Sequence, residues 1–154
     1  MCDIDNTDKL ADSGMCLSVA EKAGLEIAMV QRSNDEGFKK LYFWGKIQGT
    51  SEDYLVCYGL LPSYDYPQKK FFFCTSNNFV LQQMPVIDAE LTQKAEAVEG
   101  MFSGEPDKPL EEVPEDAEDP EAAAKNVFRE EHRLAQTVLA VDFDCSACPK
   151  GAFW

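Results

Sequence analysis

The sequence predicts an α+β fold, an antiparallel β-meander of about four strands over residues 41–83 flanked by three helices and followed by a long acidic, proline-rich loop. Three observations carry that expectation. A capping box opens a helix at Ser18. Aromatic and β-branched residues alternate in short runs between Leu41 and Gln83. After Pro85 the apolar period changes from two to about 3.6. With 154 residues, the chain can hide about 70% of its unfolded surface. One domain spanning 1–154, with no need of disulfide staples, is therefore expected.

The first helix starts from Ser18-Val19-Ala20-Glu21, where the Ser18 hydroxyl can accept from an orphan helix N–H and Glu21 can reach back to the Ser18 amide. Ala23, Ile27 and Val30 then fall at i, i+4, i+7, which predicts an amphipathic helix over 19–32. Gly24 inside it costs about 1 kcal/mol relative to Ala, and Asn34 to Gly37 ends it.

The four strands are expected over 41–48, 53–58, 69–75 and 79–83, with Gly49-Thr50-Ser51-Glu52 as a hairpin loop between the first two. Ile87, Leu91, Lys94 or Ala95, and Val98 form a helical stripe that stops at Gly100. Residues 105–121 hold nine acids, one base (Lys108) and four prolines. Such a segment cannot form a packed helix, so a mobile, solvated loop is expected over 105–120. A third helix follows over 121–138, with Val127, Leu134 and Val138 apolar.

Charge narrows the function classes. Fourteen Lys and Arg against 28 Asp and Glu leave a net charge of −14. That field repels phosphate backbones and anionic lipid, so neither nucleic acid nor a membrane is an expected partner. Residues 1–8 are acidic and lack the apolar run of a secretory signal. The six cysteines, at 2, 16, 57, 74, 145 and 148, lack the spacing of a secreted disulfide scaffold. Reduced thiols in a cytosol-facing compartment are expected.

Catalytic constellations are sparse. Cys145-Ser146-Ala147-Cys148 has the spacing of half a zinc site or a redox pair. A zinc site needs two further ligands, and the one histidine, His132, lies on a charged helix face with no second CxxC. Pro149 follows Cys148 at once, where a thioredoxin-like motif should enter a helix. Ser103 between Gly100 and Gly104 misses the nucleophile-elbow spacing. No cofactor or metal is expected, and the reading is non-enzymatic.

The aromatics are more informative. Phe71-Phe72-Phe73 places rings on both faces of the sheet. One face can pack on helices, and the other is either covered by further chain or offered to a partner protein. Tyr42, Trp44, Tyr54, Phe71 and Phe73 are the candidate interface residues.

Three stretches resemble the radial spoke head family. Phe43-Trp44-Gly45-Lys46-Ile47-Gln48-Gly49, followed by Asp53-Tyr54-Leu55-Val56 and Gly59, is similar to an FWG-[KR]-I-x-G segment and its D-Y sequel. Phe102-Ser103-Gly104-Glu105-Pro106 resembles a small F-x-G-acid-Pro block. Arg133-Leu134-Ala135, Val138, Val141-Asp142 and Pro149-Lys150-Gly151-Ala152-Phe153 resemble an R-L-x … V … I-D … P-[KR]-G-A-F block. Family chains continue past that last block, so about the last third of the expected domain is expected to lie beyond Trp154.

The resemblance implies a structural subunit of the radial spoke head in the axoneme of a cilium or flagellum, supporting spoke assembly and the mechanical regulation of dynein-driven motility. It also implies larger spoke-head paralogues, or a second copy of the chain, as partners, and a cytoplasmic, cytoskeletal, axonemal location. From the residues alone a second class stays open: a small acidic adaptor or assembly factor that binds basic client surfaces through 105–121.

Overall fold

The structure is a computed structural model that describes residues 3–13, 17–62, 68–111 and 127–146. The chain divides into two compact units, residues 1–84 with 101–105 and residues 85–100 with 106–154.

The first unit is built on β1 (Leu41–Ile47), β2 (Tyr54–Leu60), β3 (Lys69–Thr75) and β4 (Gln82–Gln83). They pair antiparallel in sequence order, so the meander expected from the short loops is the one observed. Phe43 pairs with Cys57 and Gly45 with Val56, leaving Trp44 as the extra residue of a β-bulge. The fourth strand is shorter than the expected 79–83. Phe79 has turned toward helix α1 (Val19–Glu36): a Cβ built on Gly24 would lie 2.6 Å from its ring. The glycine that weakens the helix pattern is therefore the notch that seats Phe79.

Helix α1 opens with the expected capping box. Glu21 N–H donates to Ser18 Oγ at 3.2 Å, and Ser18 N–H donates to Glu21 Oε2 at 2.7 Å. It ends at Gly37, whose φ of 71° is the left-handed conformation that stops a helix. The apolar stripe noticed in the sequence faces solvent, however: Ala23 is exposed, and Ile27 and Val30 are 61% and 58% exposed. The buried face carries Leu25, Ala28 and Met29, with Glu21 at its N-terminal end. Polar contacts decide between the stripes. Glu21, Arg32 and Glu36 share the buried face and reach Lys46, the Phe72 ring (5.0 Å) and Lys70 respectively.

That face packs on Leu55, Cys57, Phe72 and Cys74. A 3-10 helix over Ile4–Ser13, for which the sequence carried no periodic signal, adds Ile4 to the same core. Thr7 Oγ1 donates to Ile4 O at 2.7 Å, and Asp3 pairs with Lys40.

In the second unit α2 (Ala89–Ala97) packs on α3 (Glu130–Asp144). The first matches the stripe expected over 87–99: Ala95 is buried and Leu91 half-buried. The second departs from the expected 121–138. Residues 121–126 lie outside the described residues, Val127 to Arg129 are not helical, and the helix runs beyond Val138 to Asp144. Its start is set by partners distant in sequence, since Glu130 N–H donates to Lys108 O (3.0 Å) and Glu131 N–H to Pro106 O (3.1 Å). Those carbonyls satisfy orphan N–H groups of the first turn. The acidic loop expected over 105–120 is described only as far as Glu111.

Cys57 and Cys74 lie side by side on the α1 face of the sheet, opposite Phe72 and Leu55 in the ladder. Burial pushes the Cys57 thiol well above its usual range, and the Cys74 thiolate would add like charge. Burial raises Cys74 to about 12. At pH 8 neither forms the reactive thiolate. Iodoacetamide should therefore modify exposed Cys145 and leave Cys57 and Cys74 intact until urea unfolds the chain. Peptide mapping that found all three modified at similar rates in the folded protein would contradict this packing.

Candidate functional site

The residues that carry the family resemblance can be followed into the structure, and most of those in the first unit converge on the β1–β2 hairpin. Lys46 leaves β1 just before the loop, with only 13% of its side chain exposed, and lies 2.8 Å from Glu21 Oε1 and 2.9 Å from Asp53 Oδ2. Each carboxylate has a second task. Glu21 Oε2 caps α1, while Asp53 Oδ1 accepts the Gly49 N–H at 3.1 Å. One ammonium thus links the helix start, the end of β1 and the hairpin loop.

The electrostatics follow. Burial works against ionising Glu21, but hydrogen bonds from Lys46 and Ser18 outweigh it and hold the carboxyl below its usual range. For Asp53 the Lys46 hydrogen bond is the largest influence, and it too is lowered. Burial also opposes the Lys46 charge, yet its two acceptors raise it above the usual lysine value.

The loop is closed from its other side by the F-x-G block. Thr50 N–H donates to Phe102 O (2.8 Å) and Ser51 N–H to Ser103 O (2.9 Å). Two glycines make that approach possible. A Cβ on Gly49 would sit 2.0 Å from Glu52 O, and one on Gly104, whose φ is +95°, 2.3 Å from the same oxygen. By contrast a Cβ on Gly45 would meet nothing within 4 Å. The end of β3 adds a third tie: Ser76 N–H donates to Asp53 O at 2.9 Å, and Asn77 Nδ2 to Glu52 Oε1 at 2.8 Å.

The candidate interface aromatics separate by strand. Tyr54, Phe71 and Phe73 are buried, and Tyr54 stands edge-on to both Phe73 (6.1 Å) and Phe102 (6.0 Å). Tyr42 and Trp44, on edge strand β1, are half-buried; the Tyr42 ring lies 5.6 Å from that of Tyr58. Ile27 and Val30, which the sequence pattern placed on the apolar stripe of the first helix, are exposed instead, and so is Phe143 near the end of α3, which no sequence signal marked.

In the second unit the R-L-x block is again structural. Arg133 Nη2 donates to Gly100 O at 2.5 Å, tying α3 to the turn after α2, and Leu134, Ala135 and Val138 are buried. His132 is half-buried rather than on an open charged face. Its Nδ1 accepts the Arg129 N–H at 3.2 Å, which caps α3, and its ring lies 6.1 Å from Phe128. Cys145 is exposed at the C-terminal cap of α3, and Cys148 lies outside the described residues. Among the described residues no three His, Cys, Asp or Glu side chains gather as a metal site would need, and no helix is long and apolar enough to cross a membrane.

Two measurements test this hairpin brace. Gly49→Ala and Gly104→Ala should each cost about 2 kcal/mol or more in urea unfolding, against less than about 1 kcal/mol for Gly45→Ala; equal costs would remove the steric argument. The second uses pH. Folded-state values of Glu21 and Asp53 lie below their unfolded ones, so their stabilisation is complete above the ordinary carboxylate range near about pH 4 and is lost as pH falls through the folded values. Lys46→Met removes the cause. It should cost about 1–3 kcal/mol at pH 7 and distinctly less at pH 3, and a cost independent of pH would contradict the bridge.

No protein-family model matches the chain. It is similar to curated proteins named radial spoke head protein 9 homolog: 29% identical over 151 residues to that of Danio rerio, and 26% identical to those of Homo sapiens (147 residues) and Mus musculus (149 residues). These matches take in 92–95% of this chain but only 52–54% of each relative, so the chain spans about half the length of the curated relatives it matches. The motif residues of the hairpin brace and of α3 fall within a likeness that runs through nearly the whole chain, and its curated relatives are consistent with a radial spoke head family.

Proposed function

We propose that the chain is a non-enzymatic structural subunit of the radial spoke head of the ciliary or flagellar axoneme, supporting spoke assembly and the mechanical regulation of dynein-driven motility. The observation that carries this reading is the use to which the motif residues are put. Lys46 ties β1 to the start of α1, Gly104 lets residues 102–104 approach the hairpin loop, Arg133 ties α3 to Gly100, and Asp53 and Gly49 close the loop itself. Braces of this kind fit a protein whose role is to hold a shape under load. The names of the relatives supply the assembly.

The partners in this reading are larger spoke-head proteins or a second copy of the chain. Of the five candidate aromatics, this reading assigns the partner contact to Tyr42 and Trp44, because they are half-buried on edge strand β1 whereas Tyr54, Phe71 and Phe73 are buried. Expressed with an affinity tag in ciliated cells, the chain should sediment with axonemes. Joint Tyr42→Ser and Trp44→Ser changes should lower that fraction about tenfold or more while leaving the circular dichroism spectrum intact. Tyr54→Ser should instead destabilise the fold by about 3 kcal/mol or more. Recovery of the unaltered protein as a free monomer outside the axoneme would defeat the proposal.

A further inference from the structure

Helix α1 carries a second stripe that its own chain leaves uncovered. Ala20, Ala23, Ile27, Val30 and Asn34 follow one another at steps of three, four, three and four residues, the spacing of a seam along which one helix packs on another. All five are exposed, Ile27 to 61% and Val30 to 58%, and Val19, 88% exposed, extends the apolar row at its N-terminal end. At about 1.5 Å per residue the seam runs for about 21 Å. A single exposed apolar side chain needs no explanation, but a row aligned on one helix face points to an interface. Leu25, Ala28 and Met29, on the other side of the helix, already supply its contact with the sheet.

Shape and charge each restrict what can cover this face. The backbone of α1 is hydrogen-bonded within the helix, so the face offers side chains and no strand edge, and the complementary element is a helix with a seam of the same spacing. At about 100° per residue, Glu26 lies on one flank of the seam and Asp35 on the other. Both are exposed, and neither forms an ion pair among the described residues. The cations of α1 lie farther round: Arg32 is turned onto Phe72 and paired with Glu36, and half-buried Lys22 sits beyond Glu26. A cavity of about 310 Å³ beside Val30 and Asn34 brings in Lys39 and Lys40, but Asp3 and Asp5 line it too and match them, so the flanking charge stays negative. A second copy of the chain would bring −14 against −14. A helix with Lys or Arg beside its apolar seam meets both acids.

We infer that the outer face of α1 is a docking site for an amphipathic helix of a partner protein, one whose apolar seam is flanked by basic residues. Ile27 and Val30 are the centre of the contact, Ala20 and Ala23 let the two helices approach closely, and Glu26 and Asp35 meet the partner's cations. This surface uses different residues from Tyr42 and Trp44, and the inference does not depend on membership of a spoke head.

The test titrates the purified full chain into a fluorescein-labelled designed helical peptide, with Leu and Ile along its seam and Lys on both flanks, followed by fluorescence polarisation. Saturable binding is expected, weakened by added salt. Ile27→Gln combined with Val30→Gln should weaken it at least about tenfold. The milder Ile27→Ala and Val30→Ala pair should act in the same direction, which keeps the test sound if the polar pair perturbs folding. Glu26→Gln with Asp35→Asn should weaken binding about threefold or more and flatten its salt dependence. Glu90→Gln with Glu96→Gln, an equal loss of charge from exposed positions on α2, should leave it unchanged. Absence of saturable binding, equal weakening by the α2 pair, or equal binding of a peptide with Glu in place of Lys would each overturn the inference. So would self-association of the chain that Ile27→Gln abolishes, because the occupant would then be a second copy.

Discussion

The hairpin unit depends on one ammonium group. Lys46 sits between Glu21 and Asp53, and each of those carboxylates also accepts a backbone N–H, of Ser18 and Gly49 respectively. Two partly buried acids held this close would repel each other if the lysine were absent, and both would favour protonation. With it, the start of α1 is fixed against the sheet. At the other end of the helix Glu36 accepts from Lys70 while Arg32 lies over Phe72. Polar contacts at both ends thus aim Leu25, Ala28 and Met29 into the core, leaving Ile27 and Val30 in solvent.

From that brace the rest of the unit follows by steric closure. The hairpin loop can be clasped between Phe102-Ser103-Gly104 and the end of β3 only because Gly49 and Gly104 let two backbone segments approach the Glu52 carbonyl. Phe102, carried in with that clasp, completes the ring contacts of Tyr54, which also meets Phe73. The result is a unit whose most recognisable sequence features are joints.

Much of this was legible in the sequence, for physical reasons that also mark where legibility ended. The capping box is a local interaction among four consecutive residues, and it forms as read. Short loops force sequential strands to pair, so the meander could be read from loop lengths alone. The buried face of α1 could not, because the helix carries two stripes of helical period and the choice was made by Lys46, Phe72 and Lys70, which lie on strands. The same holds for the start of α3, set by the carbonyls of Pro106 and Lys108, and for the short β4, set by Phe79 turning onto Gly24. The resemblance pointed to Lys46 and Gly49 without giving their task. That task depends on Asp53, Glu21 and Gly104, whose proximity is a property of the fold.

A double-mutant cycle between Glu21 and Lys46 measures the central interaction most directly. Urea unfolding of Glu21→Gln, Lys46→Met and the combined variant at pH 7 should give non-additive losses, with a coupling of about 1 kcal/mol or more between two groups 2.8 Å apart. Losses that add to within about 0.3 kcal/mol would show that this bridge does not fix the start of α1 against the sheet and does not organise the unit.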